Sequence, residues 1–139
     1  MNLVVDASVA VKWFLDEPLQ EPATQLLQRS DLLCAPDLVF AEVANVAWKL
    51  AVRGEIDRTD AIEIVEAVSV PFSIIHSALE LRERSIELGL DLGHPVYDCM
   101  YLACAEAVDG VVVTADERFV RATAETAFAS RVRHLSAAV

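Results

Sequence analysis

The chain has 139 residues, 55% of them hydrophobic, with a mean hydropathy of +0.39. That is the length of one domain with enough apolar mass to bury a single core, and it excludes a disordered chain. Acidic residues outnumber basic ones 22 to 11 for a formal charge of −11, which argues against a protein that coats DNA through a basic surface.

Asn2 to Asp6 reads as the first strand, because a short continuous run of β-branched residues marks a strand buried in a parallel sheet. A helix follows from about Val9 to Leu15, and Glu17-Pro18 ends it. Ala23 to Arg29 reads as a second helix and Leu32 to Ala35 as a short second strand. Pro36-Asp37 opens a longer helix, with Asp37 as N-cap and Gly54 as its stop. Asp60 to Val68 is predicted helical, Phe72 to Ile75 extended, and Ala78 to Leu88 helical up to Gly89. Pro95 suits the first turn of a helix whose apolar residues run from Val96 to Ala105. Asp109-Gly110 turns the chain into a strand over Val111 to Thr114. A short helix over Glu117 to Ala122 follows, and Arg131 to Leu135 forms a last edge strand. Strands alternating with helices predict one α/β domain over residues 1–139, an α/β/α sandwich with a parallel sheet wound by right-handed crossovers.

No stretch reaches the roughly 18 uninterrupted apolar residues of a membrane span. The N-terminus carries Asp6 inside its apolar run and has no basic leader, so no signal peptide is expected and the protein is expected to be cytoplasmic. Cys34, Cys99 and Cys104 sit in apolar stretches without a CxxC pair, and read as small buried hydrophobes. His76, His94 and His134 are scattered, with nothing at zinc spacing.

Four carboxylates carry the chemistry. Asp6 and Asp116 follow the two valine runs, at the carboxyl ends of predicted strands, where open α/β sheets gather their ligands. If the first and fourth strands are neighbours, the two acids face each other across the point where the strand order reverses. Glu42 shares a narrow polar stripe with Asn45 and Lys49, at i+3 and i+7 of an otherwise apolar helix. Asp98 interrupts a helix that is apolar on every side, where an unpaired carboxylate costs several kcal/mol. Each acid has an ordinary explanation: Asp6 and Asp116 suit N-caps, Asp98 a first helical turn, Glu42 a solvated face. Together they describe one site. Like charges repel there by about 4 kcal/mol per close pair at an effective dielectric of 20, so a cation is required. Hard oxygen ligands point to magnesium or manganese, and hence to a metal-dependent enzyme acting on phosphates.

In the segments Val5-Asp6-Ala7-Ser8, Ala41-Glu42-Val43-Ala44-Asn45, Tyr97-Asp98-Cys99-Met100-Tyr101-Leu102-Ala103 and Val113-Thr114-Ala115-Asp116-Glu117-Arg118-Phe119, the chain resembles the PIN-domain nucleases. Within them it resembles the VapC-like toxins of type II toxin–antitoxin pairs. The segments come in the family's order and spacing from Asp6 to Phe119. The resemblance implies a PIN-like sandwich on a parallel sheet of about five strands, and a Mg²⁺- or Mn²⁺-dependent endoribonuclease. It implies that Asp6, Glu42, Asp98 and Asp116 bind one or two metal ions, with Ser8, Asn45 and Thr114 in support. It further implies a homodimer that cleaves RNA and is inhibited by a cognate antitoxin. Lys12, Lys49 and Arg118 lie within about a helical turn of site carboxylates and are candidate RNA-backbone contacts, ordinary surface charge being the competing reading.

An acidic protein with apolar helices around Leu38–Val52 and Asp60–Val68 should attract a basic, amphipathic C-terminal segment of such an antitoxin. Three other phosphate-handling folds fit less well. A receiver domain needs a lysine after its fifth strand, and none follows Lys49. A haloacid-dehalogenase-like phosphatase needs Asp-x-Asp, where this chain has Asp6-Ala7-Ser8. A Rossmann fold needs a glycine-rich first turn, which is absent. Two further alternatives are a catalytically silent PIN-like module that only binds its partner and a free-standing PIN nuclease in RNA processing.

Overall fold

The two valine runs form the middle of a five-stranded parallel sheet in a computed structural model that describes residues 1–138. The strands are β1 (Asn2–Val5), β2 (Leu32–Pro36), β3 (Ile74–His76), β4 (Val111–Thr114) and β5 (Val132–His134), in the spatial order β3-β2-β1-β4-β5. β1 therefore pairs with β2 on one side and with β4 on the other, in the register Val5 opposite Val113. The chain lays strands outward from β1 in one direction, then returns to lay β4 and β5 in the other. The order reverses between β1 and β4, and the carboxyl ends of these two strands carry Asp6 and Asp116.

Among the described residues seven α-helices cover the sheet: α1 (Ala7–Ala10), α2 (Gln20–Leu26), α3 (Leu38–Val52), α4 (Arg58–Ala67), α5 (Ala78–Leu92), α6 (Val96–Ala107) and α7 (Glu117–Ala124). This is the α/β/α architecture expected. Because both faces of the sheet are covered, Leu3, Val4, Val5, Val112 and Val113 are all buried, each worth about 1.5–3 kcal/mol on leaving water. α6 lies across β1, β2 and β4. Its small buried residues Cys99, Ala103, Cys104 and Ala105 let the helix sit close on the sheet. All three cysteines are free and buried, as their apolar settings predict.

Element boundaries move in places for physical reasons. The first helix starts at Ala7, two residues before the predicted Val9, because Asp6 caps it, and it tightens into a 3₁₀ turn over Val11–Trp13. α2 begins at Gln20, after Leu19 in the left-handed region, and stops short of Arg29. α4 begins at Arg58 because Asp57 and Asp60 close a capping box. β3 is shifted to Ile74–His76, and α7 runs on to Ala124. α5 does not stop at Gly89 but continues to Leu92, and ends where Gly93 takes φ +61°. Asp37 stands at the start of α3 without capping it; its carboxylate instead accepts from the Ala78 N–H at 2.9 Å, tying α5 to the end of β2.

Between α3 and α4 lies an apolar groove of about 710 Å³ lined by Ala47, Trp48, Val52, Ile56, Ile62 and Val65. Trp48 and Val52 are 60% and 67% exposed. No described helix is long and apolar enough to cross a membrane.

Candidate active site

Asp6 is the buried member, 6% exposed, at the junction of β1 and α1. Its backbone N–H donates to the Val113 carbonyl, prolonging the β1–β4 pairing by one residue. Its Oδ1 accepts from the Val9 N–H at 3.2 Å and from the Ser8 hydroxyl at 2.5 Å. The capping role is thus real, and it fixes the carboxylate at the strand end.

Ser8 has one proton and gives it to Asp6. Its Oγ also lies 3.5 Å from Thr114 Oγ1 and accepts from the Ala115 N–H at 2.9 Å. Thr114 Oγ1 in turn accepts from the Asp116 N–H at 3.0 Å. A chain of short polar contacts so links the two strand ends. Asp116 caps α7, accepting from the Arg118 N–H at 2.9 Å.

The two helical acids are each held by one partner. Glu42 Oε1 accepts from the hydroxyl of Tyr101, itself 1% exposed, at 2.6 Å. Asp98 Oδ2 pairs with His94 Nε2 at 2.6 Å. Neither partner stands out in the sequence. His94 precedes the proline that opens α6, so its approach to Asp98 is hidden, whereas Tyr101 passes for core at helical spacing.

Burial pushes the Asp6 carboxyl up to about 7, against the opposing hydrogen bonds of Ser8, Thr114 and Val9, and the charge of Asp98 adds to the rise. Burial likewise raises Glu42, again with Asp98 contributing and the Tyr101 hydroxyl opposing. One carboxylate on α6 thus acts on the acids of β1 and α3, and all three share one electrostatic neighbourhood. They do not come together: among the described residues no three or more His, Cys, Asp or Glu side chains form a group that could hold a metal ion.

Of the residues predicted in support, Ser8 and Thr114 lie inside the network, while Asn45 is exposed on α3. Lys12 is engaged by Glu17 at 3.0 Å. Lys49 and Arg118 are exposed. Among the described residues no lysine or arginine side chain pairs with any of the four carboxylates; the only basic side chain that does is the imidazole of His94. The donor set is therefore carboxylate and hydroxyl oxygen without thiolate, short of positive charge. That fits a hard divalent cation such as Mg²⁺ or Mn²⁺.

Comparison with known proteins agrees with this architecture. The family model described as PIN domain matches residues 3–125. Ribonuclease VapC3 of Pyrobaculum aerophilum is 34% identical over 120 residues, covering 85% of this chain and 92% of that protein. Among solved structures, PAE2754 of Pyrobaculum aerophilum superposes with a TM-score of 0.71 at 22% identity, covering 98% of this chain and 85% of the other. A structure of VapBC-1 from nontypeable Haemophilus influenzae superposes with a TM-score of 0.66 at 14% identity, covering 98% of this chain and 99% of the other.

Proposed function

The chain belongs to the PIN-domain family, and on that premise we propose that it is a Mg²⁺- or Mn²⁺-dependent endoribonuclease, the toxin of a type II toxin–antitoxin pair. The observation that carries this reading is the uncompensated acidity of the site. Asp6 is buried at the strand-order reversal, within the field of Asp98, with no lysine or arginine partner among the described residues.

In this reading Asp6, Glu42, Asp98 and Asp116 hold the cation. When bound, a divalent cation supplies Lewis acidity and makes water a nucleophile near neutral pH, for in-line attack on a phosphodiester. The protein's own part is orientation. Ser8 and the Val9 N–H hold one oxygen of Asp6, and Tyr101 holds one oxygen of Glu42. Thr114 joins the ends of β1 and β4, so that the carboxylates of both strands keep a fixed separation. A 3′-hydroxyl leaving group gives products with 5′-phosphate ends. Lys49 and Arg118 are free to meet the RNA backbone, whereas Lys12 must first leave Glu17.

The reading extends to partners. The groove between α3 and α4 suits the apolar face of a helix, and the charge of −11 suits a basic one, so the C-terminal segment of an antitoxin docks there. Leu79, Ile86 and Leu90 form an exposed stripe on α5 that suits a second copy of the chain.

The test is cleavage of total RNA by the purified protein. Mg²⁺ or Mn²⁺ is expected to support cleavage, EDTA to stop it, and end mapping to find 5′-phosphates. Asp6→Asn and Asp98→Asn are each expected to abolish cleavage while leaving a folded protein. Wild-type rates in both variants, or full activity after exhaustive chelation, would sink the proposal.

A further inference from the structure

His94 stands between Gly93, the left-handed end of α5, and Pro95, the start of α6. Three contacts immobilise it. Its backbone N–H donates to the Gly89 carbonyl at 3.1 Å. Its ring lies nearly parallel to that of Phe119, with planes 16° apart and centroids separated by 5.3 Å. Its Nε2 reaches Asp98 Oδ2 at 2.6 Å. Only 12% of the side chain is exposed, and Phe119 beneath it is buried.

An ionised carboxylate can only accept, so Nε2 carries the proton in that contact and donates it. The bond occupies one oxygen of Asp98. Among the described residues it is the only hydrogen bond made by that side chain, so the other oxygen is uncommitted. An aspartate whose side chain is 28% exposed in a first helical turn would otherwise sample several rotamers, and the cost of ordering it would weaken its hold on any ligand. Phe119 adds a second link. It lies in α7 three residues after Asp116, which caps that helix, so the stacked ring connects the Asp98 carboxylate to the element carrying Asp116.

We propose that His94 is a positioning residue, which holds Asp98 by one oxygen, with its ring clamped on Phe119, and leaves the other oxygen for the divalent cation. The inference rests on the metal-site reading given above. Hydrogen-bond partners behind ligating carboxylates act in this way, and losing one typically costs about 10–100-fold in metal affinity.

Four variants of the full chain test it, with Mn²⁺ binding measured by calorimetry in the absence of RNA and melting followed in parallel. His94→Phe keeps a flat ring on Phe119 and removes the donor. It should melt near wild type while binding Mn²⁺ about 10–100-fold more weakly. His94→Gln carries an amide that can still donate, and should recover most of the affinity. His94→Met matches Gln in size without a donor, and serves as the comparison if the phenylalanine variant fails to fold. A purely structural histidine would lower the melting temperature and leave Mn²⁺ affinity alone. Wild-type affinity in His94→Phe, or equal affinity in the Gln and Met variants, overturns the proposal while Asp98→Asn still loses binding. If Asp98→Asn also binds Mn²⁺ as wild type does, the four-carboxylate site itself falls, and the role of His94 with it.

Discussion

At the scale of single residues, the ionisation of Asp6 couples stability to pH across the neutral range. Its carboxyl sits at about 7 when folded against an ordinary 3.8, so the folded state binds the proton more tightly. Between those two values the native chain holds more protons than the unfolded one, and stability falls as pH rises. The contribution is whole below 3.8 and is lost as pH climbs through about 7. Glu42 is displaced in the same direction and adds to the trend. The metal-free protein is therefore expected to melt several degrees higher near pH 5 than near pH 8. Asp6→Asn should flatten that dependence and open a stability advantage over wild type that widens with pH. Thermal melts of both proteins across that range in EDTA check this, and parallel curves would remove burial of Asp6 as the cause.

At the scale of elements, the turn between α6 and β4 is where the sheet is most intolerant of change. Asp109 takes φ +49°, and Gly110 donates to the Ala105 carbonyl at 2.8 Å. A Cβ on Gly110 would run into the carbonyl of Asn2, the first residue of the central strand. Gly54, at the end of α3, has a left-handed φ of +74° but open space around it. Gly54→Ala should therefore cost only about 1 kcal/mol of backbone strain. Gly110→Ala adds displacement of β1 or β4 and should cost several times that; equal losses in urea unfolding would contradict the assigned contact. The strands and most helices are legible in the sequence because valine runs and capping residues act locally. What escapes is set by tertiary partners. Asp37 reads as the cap of α3, yet its carboxylate serves α5, forty-one residues on. α5 runs past Gly89 because the αL position belongs to Gly93. The four carboxylates stand out as candidates for a related reason: each is set against its own apolar segment. Their hydrogen-bond partners do not, since Tyr101 and His94 look like core and scatter until α3, α6 and α7 are assembled.

At the scale of the whole molecule, the charge of −11 makes the metal-free protein work against its own field. A cation bound only by the folded site stabilises it by mass action, about 2.7 kcal/mol at a hundredfold excess over Kd. Mg²⁺ or Mn²⁺ should raise the melting temperature by roughly 8 °C under that condition for a domain of this size. Ca²⁺ should give a comparable rise but little cleavage, because its looser coordination shell orients water poorly. A melting temperature indifferent to all three ions would place the cation outside the folded site. The pairing of β1 with β4 sets a further constraint, on time. β1 is made well before the strand that completes one of its edges, which begins at Val111. Until Val111 to Thr114 have been made, the Asp6 N–H lacks its carbonyl partner, the Ser8 hydroxyl lacks Thr114, and α6 has only part of its bed. Such long-range pairing forms late, after the loop between the strands has closed. A nascent chain that has not passed Thr114 is thus without the paired ends of β1 and β4, and Asp6 and Asp116 come to the same end of the sheet only after both strands are made.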